Sequence, residues 1–259
     1  PQSLRYFARE IDRPLTLALL MDTSDSQRSL LPMEKETAAL FLERVLRPGD
    51  LAAVITFDVH VDLLQDFTDE VGRLHGAVER ARIHAPSPLG PFPGTRAAGT
   101  RLWDAIYLAS AEKLAPEVGR KAIVVLSDGA DTGSETKLEE ALEAAQRSDV
   151  MIYAILIQDP DYYYDRGYGS PDAGKLERHA RETGGRTLEV NRPDHGKLVA
   201  AFDAIAAELR SQYSLGYTST NRAADGQYRR IELKVRRKGL RVQARRGYYA
   251  PRAPATPAR

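Results

Sequence analysis

Apolar residues in this chain come in short solid runs, separated by stretches in which they recur every three or four positions. Residues 15–21 (Leu-Thr-Leu-Ala-Leu-Leu-Met) form one such run and open into the polar Asp22-Thr-Ser-Asp-Ser26. A short apolar run ending in a polar turn predicts a strand buried on both faces. Over 33–46 the apolar positions Ala38, Leu42, Val45 and Leu46 fall at helical spacing, and Pro48-Gly49 ends the segment. Residues 51–57 and 59–64 predict a tight antiparallel pair around Asp58, and 69–83 a helix. A Pro- and Gly-rich loop spans 85–99, and the chain turns helical again at Leu102. There follow a strand at 121–127, a helix at 135–147, a strand at 150–157, a helix at 175–183, a short strand at 186–190 and a helix at 194–209.

This alternation predicts an α/β, Rossmann-like domain. Its central sheet is mostly parallel with one antiparallel edge strand, and helices cover both faces. Ligands of such sheets sit beyond the C-terminal ends of the strands. From residue 212 the period changes to two: Ile231, Leu233 and Val235 alternate with Arg230, Glu232, Lys234 and Arg236. With a Lys238-Gly239 turn and a return through Leu240, Val242 and Ala244, this predicts a small C-terminal β meander on the domain's edge. The expected organisation is an N-terminal extension (1–14), the main domain (15–210), a β tail (211–250) and a disordered Pro/Ala tail (251–259).

Composition narrows the chemistry. With 259 residues, 42% of them hydrophobic, the chain holds enough apolar material for one large domain. Lys and Arg (37) nearly cancel Asp and Glu (36), so no overall field draws the protein to nucleic acid or an acidic membrane, and no nucleic-acid partner is expected. Cysteine is absent, which excludes disulfides, thiolate metal sites and cysteine nucleophiles. No run reaches the roughly 18 to 20 apolar residues that span a bilayer, so no membrane span is expected. The chain starts at Pro1 without a Met and reads as an excised segment.

Three loops at one edge of the expected sheet offer oxygen: Asp22-x-Ser24-x-Ser26 after the first strand, Gly99-Thr100 before a helix, and Asp128-Gly129 after the 121–127 strand. A hard cation such as Mg²⁺ takes about six oxygens at about 2.1 Å and keeps several waters. Spacing by two puts Ser24 and Ser26 on one side of an extended turn, while Asp22 and Asp128 suit coordinated water. The DxSxS, Thr and Asp set, in this order, resembles the metal-ion-dependent adhesion site of von Willebrand A and integrin I domains, and all five positions match. The resemblance covers about 15–209. It implies that Ser24, Ser26 and Thr100 ligate a metal directly, that Asp22 and Asp128 act mainly through water, and that one position stays open for an Asp or Glu carboxylate of a protein partner. The implied cation is Mg²⁺, with Mn²⁺ or Ca²⁺ as alternatives. Gln212-Tyr-Ser-Leu-Gly-Tyr217, Asp225-Gly226 and Arg246-Gly-Tyr-Tyr249 resemble the tail of acidobacterial A-domain-related proteins, which implies an exported bacterial protein. Arg101 and Asp25 depart from the integrin pattern.

Each signal has a plainer reading. Thr100 suits the N-cap of the following helix, and Asp22-x-Ser24 and Asp128-Gly129 suit ordinary turns. The segment 159–172 carries Tyr162, Tyr163, Tyr164 and Tyr168 beyond a strand end. With Arg101 and Asp131 it is expected to rim the site, tyrosine being common at interfaces, and a mobile loop is the competing reading. Nine Lys or Arg between 229 and 246 raise an anionic polymer as partner, though alternation argues for a solvated strand face. His60, His75, His84, His179 and His195 show no ligand spacing and are given no catalytic part. The expected function is a non-enzymatic, cation-dependent binding module. The alternatives are a Mg²⁺-dependent phosphatase-like hydrolase with Asp22 as nucleophile, which lacks the required second carboxylate because Ser24 stands there, and a metal-free scaffold that binds anionic polymers through its tail. The oligomeric state is left open.

Overall fold

The computed structural model describes residues 1–9, 13–83, 99–165, 171–240 and 242–252. Its strands are β1 (Leu4–Arg9), β2 (Leu15–Asp22), β3 (Leu51–Phe57), β4 (Val61–Thr68), β5 (Arg120–Ser127), β6 (Val150–Gln158), β7 (Thr187–Asn191), β8 (Tyr213–Tyr217), β9 (Tyr228–Arg230) and β10 (Gly247–Tyr249). Its helices are α1 (Leu31–Val45), α2 (Val71–Arg80), α3 (Leu102–Leu108), α4 (Leu138–Arg147), α5 (Pro160–Asp165), α6 (Gly174–Thr183) and α7 (His195–Arg210).

Six strands form the central sheet in the order β4-β3-β2-β5-β6-β7, parallel throughout except for β4 at one edge. All eight residues of β2 are buried, because the strand has a neighbour on each side and helices on each face. Leu15, Leu17, Leu19 and Met21 point to one face and pack with Phe41, Leu42, Leu74, Phe202 and Ile205 of α1, α2 and α7. Ala18 and Leu20 point to the other and pack with Leu102, Trp103, Ile106, Ala145 and Leu176 of α3, α4 and α6. This two-faced burial explains the solid apolar runs, since neither face of such a strand meets water.

The strand order also fixes where a ligand goes. The chain leaves β2 for β3 on one side and later returns to β5 on the other, so the connections diverge between β2 and β5. Divergence of this kind opens a crevice beyond the C-terminal strand ends. Met21 is in register with Leu126 and Asp22 with Phe57, so Asp22 and Asp128 emerge side by side at that crevice.

Two features differ from the sequence reading. Residues 4–9, expected in an extension, form β1, which pairs antiparallel with β8 and stacks Phe7 on Tyr213 at 5.4 Å. The C-terminal β unit is a pair rather than a meander. The turn at Lys238-Gly239 is present, with Gly239 at φ 80°, but the ladder forms only between β9 and β10, and the alternating residues 231–235 lie outside any strand. Val235 and Leu240 stay exposed. A two-stranded ribbon solvated on both faces is marginal, so pairing survives where the aromatic residues pack: Tyr228 against Tyr249, and Tyr249 under Arg147 of α4 at 4.1 Å. The loop expected at 85–99 falls outside the described residues except for Gly99, and so does most of the 251–259 tail.

Leu19 lies at the centre of the sheet and has no exposed surface. Leu19→Ala should lower stability by about 3 kcal/mol through lost transfer energy and a residual cavity. Urea unfolding checks this, and a loss below about 1 kcal/mol would contradict the packing described.

Candidate metal centre

Four of the five expected ligands form one hydrogen-bonded group. The Ser24 amide donates to Asp22 Oδ1 at 2.9 Å, which fixes the turn leaving β2, and Ser127 Oγ donates to Asp22 Oδ2 at 2.7 Å. Ser24 Oγ and Ser26 Oγ stand 3.1 Å apart, and Ser26 Oγ donates to Asp128 Oδ2 at 2.5 Å. Asp128 Oδ2 also accepts from Gln27 Nε2 at 3.1 Å and from the Tyr163 hydroxyl at 2.5 Å, while Asp128 Oδ1 accepts from the Ala130 amide at 2.9 Å. Asp22 and Asp128 are both fully buried.

Thr100 reaches the same edge by its backbone. Its amide donates to Thr132 Oγ1 at 3.0 Å, its carbonyl accepts from Thr132 and Gly133, and the next amide, that of Arg101, donates to the Asp58 carbonyl at 2.8 Å. Thr100 is therefore held between the loops after β3 and β5. It does not cap α3: the N-cap is Arg101, and Asp131 takes the capping part by accepting from the Leu102 and Trp103 amides at 2.9 and 3.3 Å. Asp131, expected on the rim, is thus committed to a helix end. Arg101 pairs with Asp104 and Glu135 and lines a surface cleft of about 490 Å³ with His60, Asp62 and Tyr107.

Residues 160–165 of the tyrosine segment form α5, whose Tyr163 reaches the site. Tyr163 reaches Asp128, Tyr162 donates to Asp25 Oδ2 at 3.4 Å, and Ser29 donates to Asp159 Oδ2 at 2.5 Å, which ties the segment to the loop after β2. Tyr164 points outward and is 86% exposed. Tyr168 lies outside the described residues. Of the histidines, His179 is buried, stacks on Trp103 at 4.8 Å and contacts the Lys175 and Leu138 carbonyls, a structural position.

The sequence reading passed over three residues of this neighbourhood: Gln27, Ser127 and Glu34. Glu34 lies in the first turn of α1, fully buried, and neither carboxylate oxygen has a partner among the described residues. The available signal was positional, because residue 34 falls one turn before Ala38 on the buried stripe of α1, where a charge is out of place.

Negative charge dominates the electrostatics. Burial, and next the Asp128 carboxylate, push Asp22 up to about 7, and burial followed by Asp22 and Asp128 holds Glu34 well above the usual carboxylate range. Burial and the adjacent Asp128 also raise the Tyr163 hydroxyl. Among the described residues no Lys, Arg or His forms an ion pair with Asp22, Glu34 or Asp128: Arg28 pairs with Asp25, Lys35 with Glu79 and Arg101 with Asp104.

This donor set fits a hard cation. Two oxygens at right angles and about 2.1 Å from an ion lie ~3.0 Å apart, close to the 3.1 Å between Ser24 Oγ and Ser26 Oγ. The unpartnered side-chain atoms here, Gln27 Oε1 and both Glu34 oxygens, are all acceptors. Among the described residues no group of three or more His, Cys, Asp or Glu side chains is placed to hold a metal, so such an ion would rest on hydroxyls with carboxylates behind them.

No protein-family model matches the chain, and no curated protein does. Solved structures resemble it. A von Willebrand factor type A protein from Catenulispora acidiphila superimposes with TM-score 0.56 at 14% identity, covering 81% of this chain, which spans about half (51%) of that one. The conserved protein BatB from Bacteroides thetaiotaomicron gives 0.54 at 17% identity, with 74% of this chain and 98% of its own covered. An aerotolerance-related membrane protein from Bacteroides fragilis gives 0.54 at 18% identity, with 75% and 98% covered.

The raised Asp22 value makes a signed prediction for cation-free protein. A carboxylate at about 7 when folded and 3.8 when unfolded binds its proton more tightly in the folded state. Its stabilising contribution is complete below the unfolded value and is lost as pH rises through the folded one. In EDTA, wild type should therefore lose stability relative to Asp22→Asn between about pH 4 and pH 7, at about 1.4 kcal/mol for each pH unit crossed between the two values, and the difference should level off above about pH 7. A wild-type-minus-variant difference in unfolding free energy that ignores pH would contradict the site as drawn.

Proposed function

The chain has the von Willebrand factor A-type fold, and on that premise we propose that it is a divalent-cation-dependent protein-binding module whose cation sits at Asp22, Ser24, Ser26, Thr100 and Asp128. The observation that supports this most directly is the Ser24–Ser26–Asp128 network at the sheet's switch point, backed by buried carboxylates that no basic residue among those described neutralises. Mg²⁺ is the cation of choice for hydroxyl and water ligands, with Mn²⁺ and Ca²⁺ as the alternatives. Bound there, it would supply a Lewis-acidic position for an Asp or Glu carboxylate of the partner. Ser24 and Ser26 would ligate, while Asp22 and Asp128 would orient the hydroxyls and offset charge. Tyr162 and Tyr164 of α5, with Arg101, would form the surface the partner meets.

A hydrolase gains little from this arrangement. Both Asp22 oxygens are engaged, by the Ser24 amide and the Ser127 hydroxyl, and the side chain has no exposed surface, which suits a support and not a nucleophile. Binding of anionic polymers by the tail is weakened as well, because Arg229, Lys234 and Arg245 pair with Asp225, Glu232 and Asp149. No helix among the described residues is long and apolar enough to cross a membrane. An exported location fits the resemblance to the Bacteroides fragilis membrane protein.

Thermal unfolding in EDTA and then in excess Mg²⁺ tests the reading. A cation that binds only folded protein at about a hundred times its Kd adds about 2.7 kcal/mol, and the combined Ser24→Ala and Ser26→Ala variant should lose that gain while remaining folded in EDTA. A midpoint that Mg²⁺, Mn²⁺ and Ca²⁺ all leave unmoved would refute the cation site.

A further inference from the structure

Glu34 is the anomaly of the buried core. Its carboxylate has no exposed surface, and no hydrogen bond reaches either oxygen among the described residues. The Asp22 and Asp128 carboxylates both raise its affinity for a proton. Lys35, the next residue in sequence, turns away to the Glu79 carbonyl at 2.6 Å and its carboxylate at 3.2 Å. A buried carboxylate left without a donor or a counter-charge costs several kcal/mol, so such groups are normally paired or lie near a metal. The first turn of α1 supplies part of the compensation, because a helix N-terminus carries partial positive charge, but it reaches neither oxygen with an amide.

A second orphan reaches the same aspartate pair. Gln27 is fully buried and uses Nε2 on Asp128 Oδ2, which leaves Oε1 without a donor. Three acceptor atoms, from Gln27 in the loop after β2 and Glu34 in the first turn of α1, are therefore left unsatisfied near a pair of aspartates. A bound cation with its waters would supply both missing elements: positive charge for the carboxylates, and water hydrogens for the acceptors.

We propose that Glu34 is a third carboxylate of the cation centre, placed behind the ligating hydroxyls, where it strengthens cation binding by its charge and by accepting hydrogen bonds from cation-bound water. This rests on the cation site proposed above. Glu34 is a positioning residue, not a direct ligand, in keeping with the lack of a three-carboxylate ligand cluster among the described residues. The consequence is specific to charge. With no cation bound, an ionised Glu34 adds repulsion to a site already crowded with acceptors, so it holds a proton more tightly than an ordinary carboxylate. With one bound, the same charge becomes attraction.

The test is Glu34→Gln, which keeps the shape and removes the charge. Titration calorimetry with Mg²⁺ alone should show affinity at least about 10-fold below wild type, the range found when supporting partners of metal ligands are removed. In EDTA the same variant should unfold at a midpoint equal to or above that of wild type. Reduced affinity together with unchanged or raised midpoint in EDTA supports the proposal, since a packing role alone lowers both. Unchanged Mg²⁺ affinity overturns it and leaves the cation site standing, as does a variant that is destabilised or fails to fold in EDTA. If wild type itself binds none of Mg²⁺, Mn²⁺ and Ca²⁺, the cation site and the role of Glu34 fall together.

Discussion

Asp22 and Asp128 emerge side by side from two parallel strands, both fully buried, and their charges are felt by Glu34, buried in the first turn of α1. Like charges in a medium of low dielectric repel strongly, and no basic side chain among the described residues neutralises them. The local structure responds to that constraint. The Ser24 amide and the Ser127 hydroxyl turn towards Asp22, and Ser26, Gln27 and Tyr163 all direct donors at one oxygen of Asp128. The loop after β2, the start of α1 and the α5 segment are arranged as they are because each contributes a hydrogen-bond donor to this concentration of acceptors or adds to it.

The scaffold can carry such a cost because its own stability comes from elsewhere. β2 is buried along its whole length, and the two apolar layers around it, one under α1, α2 and α7 and the other under α3, α4 and α6, hold the strand ends at fixed separation. Close-packed cores yield little to strain. The aspartates cannot relax apart by sliding β2 against β5, so relief has to come from protons, donors or a cation.

How far the sequence disclosed all this depends on whether the cause was local. The solid apolar runs and helical spacings reflect burial on a two-faced sheet, so they disclosed the mostly parallel sheet, its antiparallel edge strand and the helices on both faces. Asp22, Ser24, Ser26 and Asp128 were legible because spacing by two and position after a strand are written in the chain itself. Glu34 was hidden because its meaning depends on what lies across the crevice, more than ninety residues away at Asp128. Asp131, expected on the rim of the site, accepts from the first amides of α3, a partnership set by the fold of two loops. The tail's alternation is present in the residues but not kept through Val235, which is exposed; without a third strand or a covering helix it could not hold a ladder, and the pair formed instead where Tyr228 and Tyr249 meet α4.

Protons, and on the proposed reading a cation, would be two answers to the same excess of negative charge, and they would exclude one another at the groups they share. Asp22, pushed up to about 7 in the absence of a cation, holds a proton over much of the acid range and gives it up near neutrality. Ligand groups must be deprotonated to serve a metal, so binding releases protons and strengthens as pH rises. Below neutrality a proton on Asp22 relieves part of the repulsion, and above it that relief is lost. If a cation binds at this crevice as proposed, the conditions that most destabilise the cation-free fold would be those under which it has most to gain by binding. Folding stability and the proposed cation affinity would then be two expressions of one electrostatic imbalance, fixed by where β2 and β5 end.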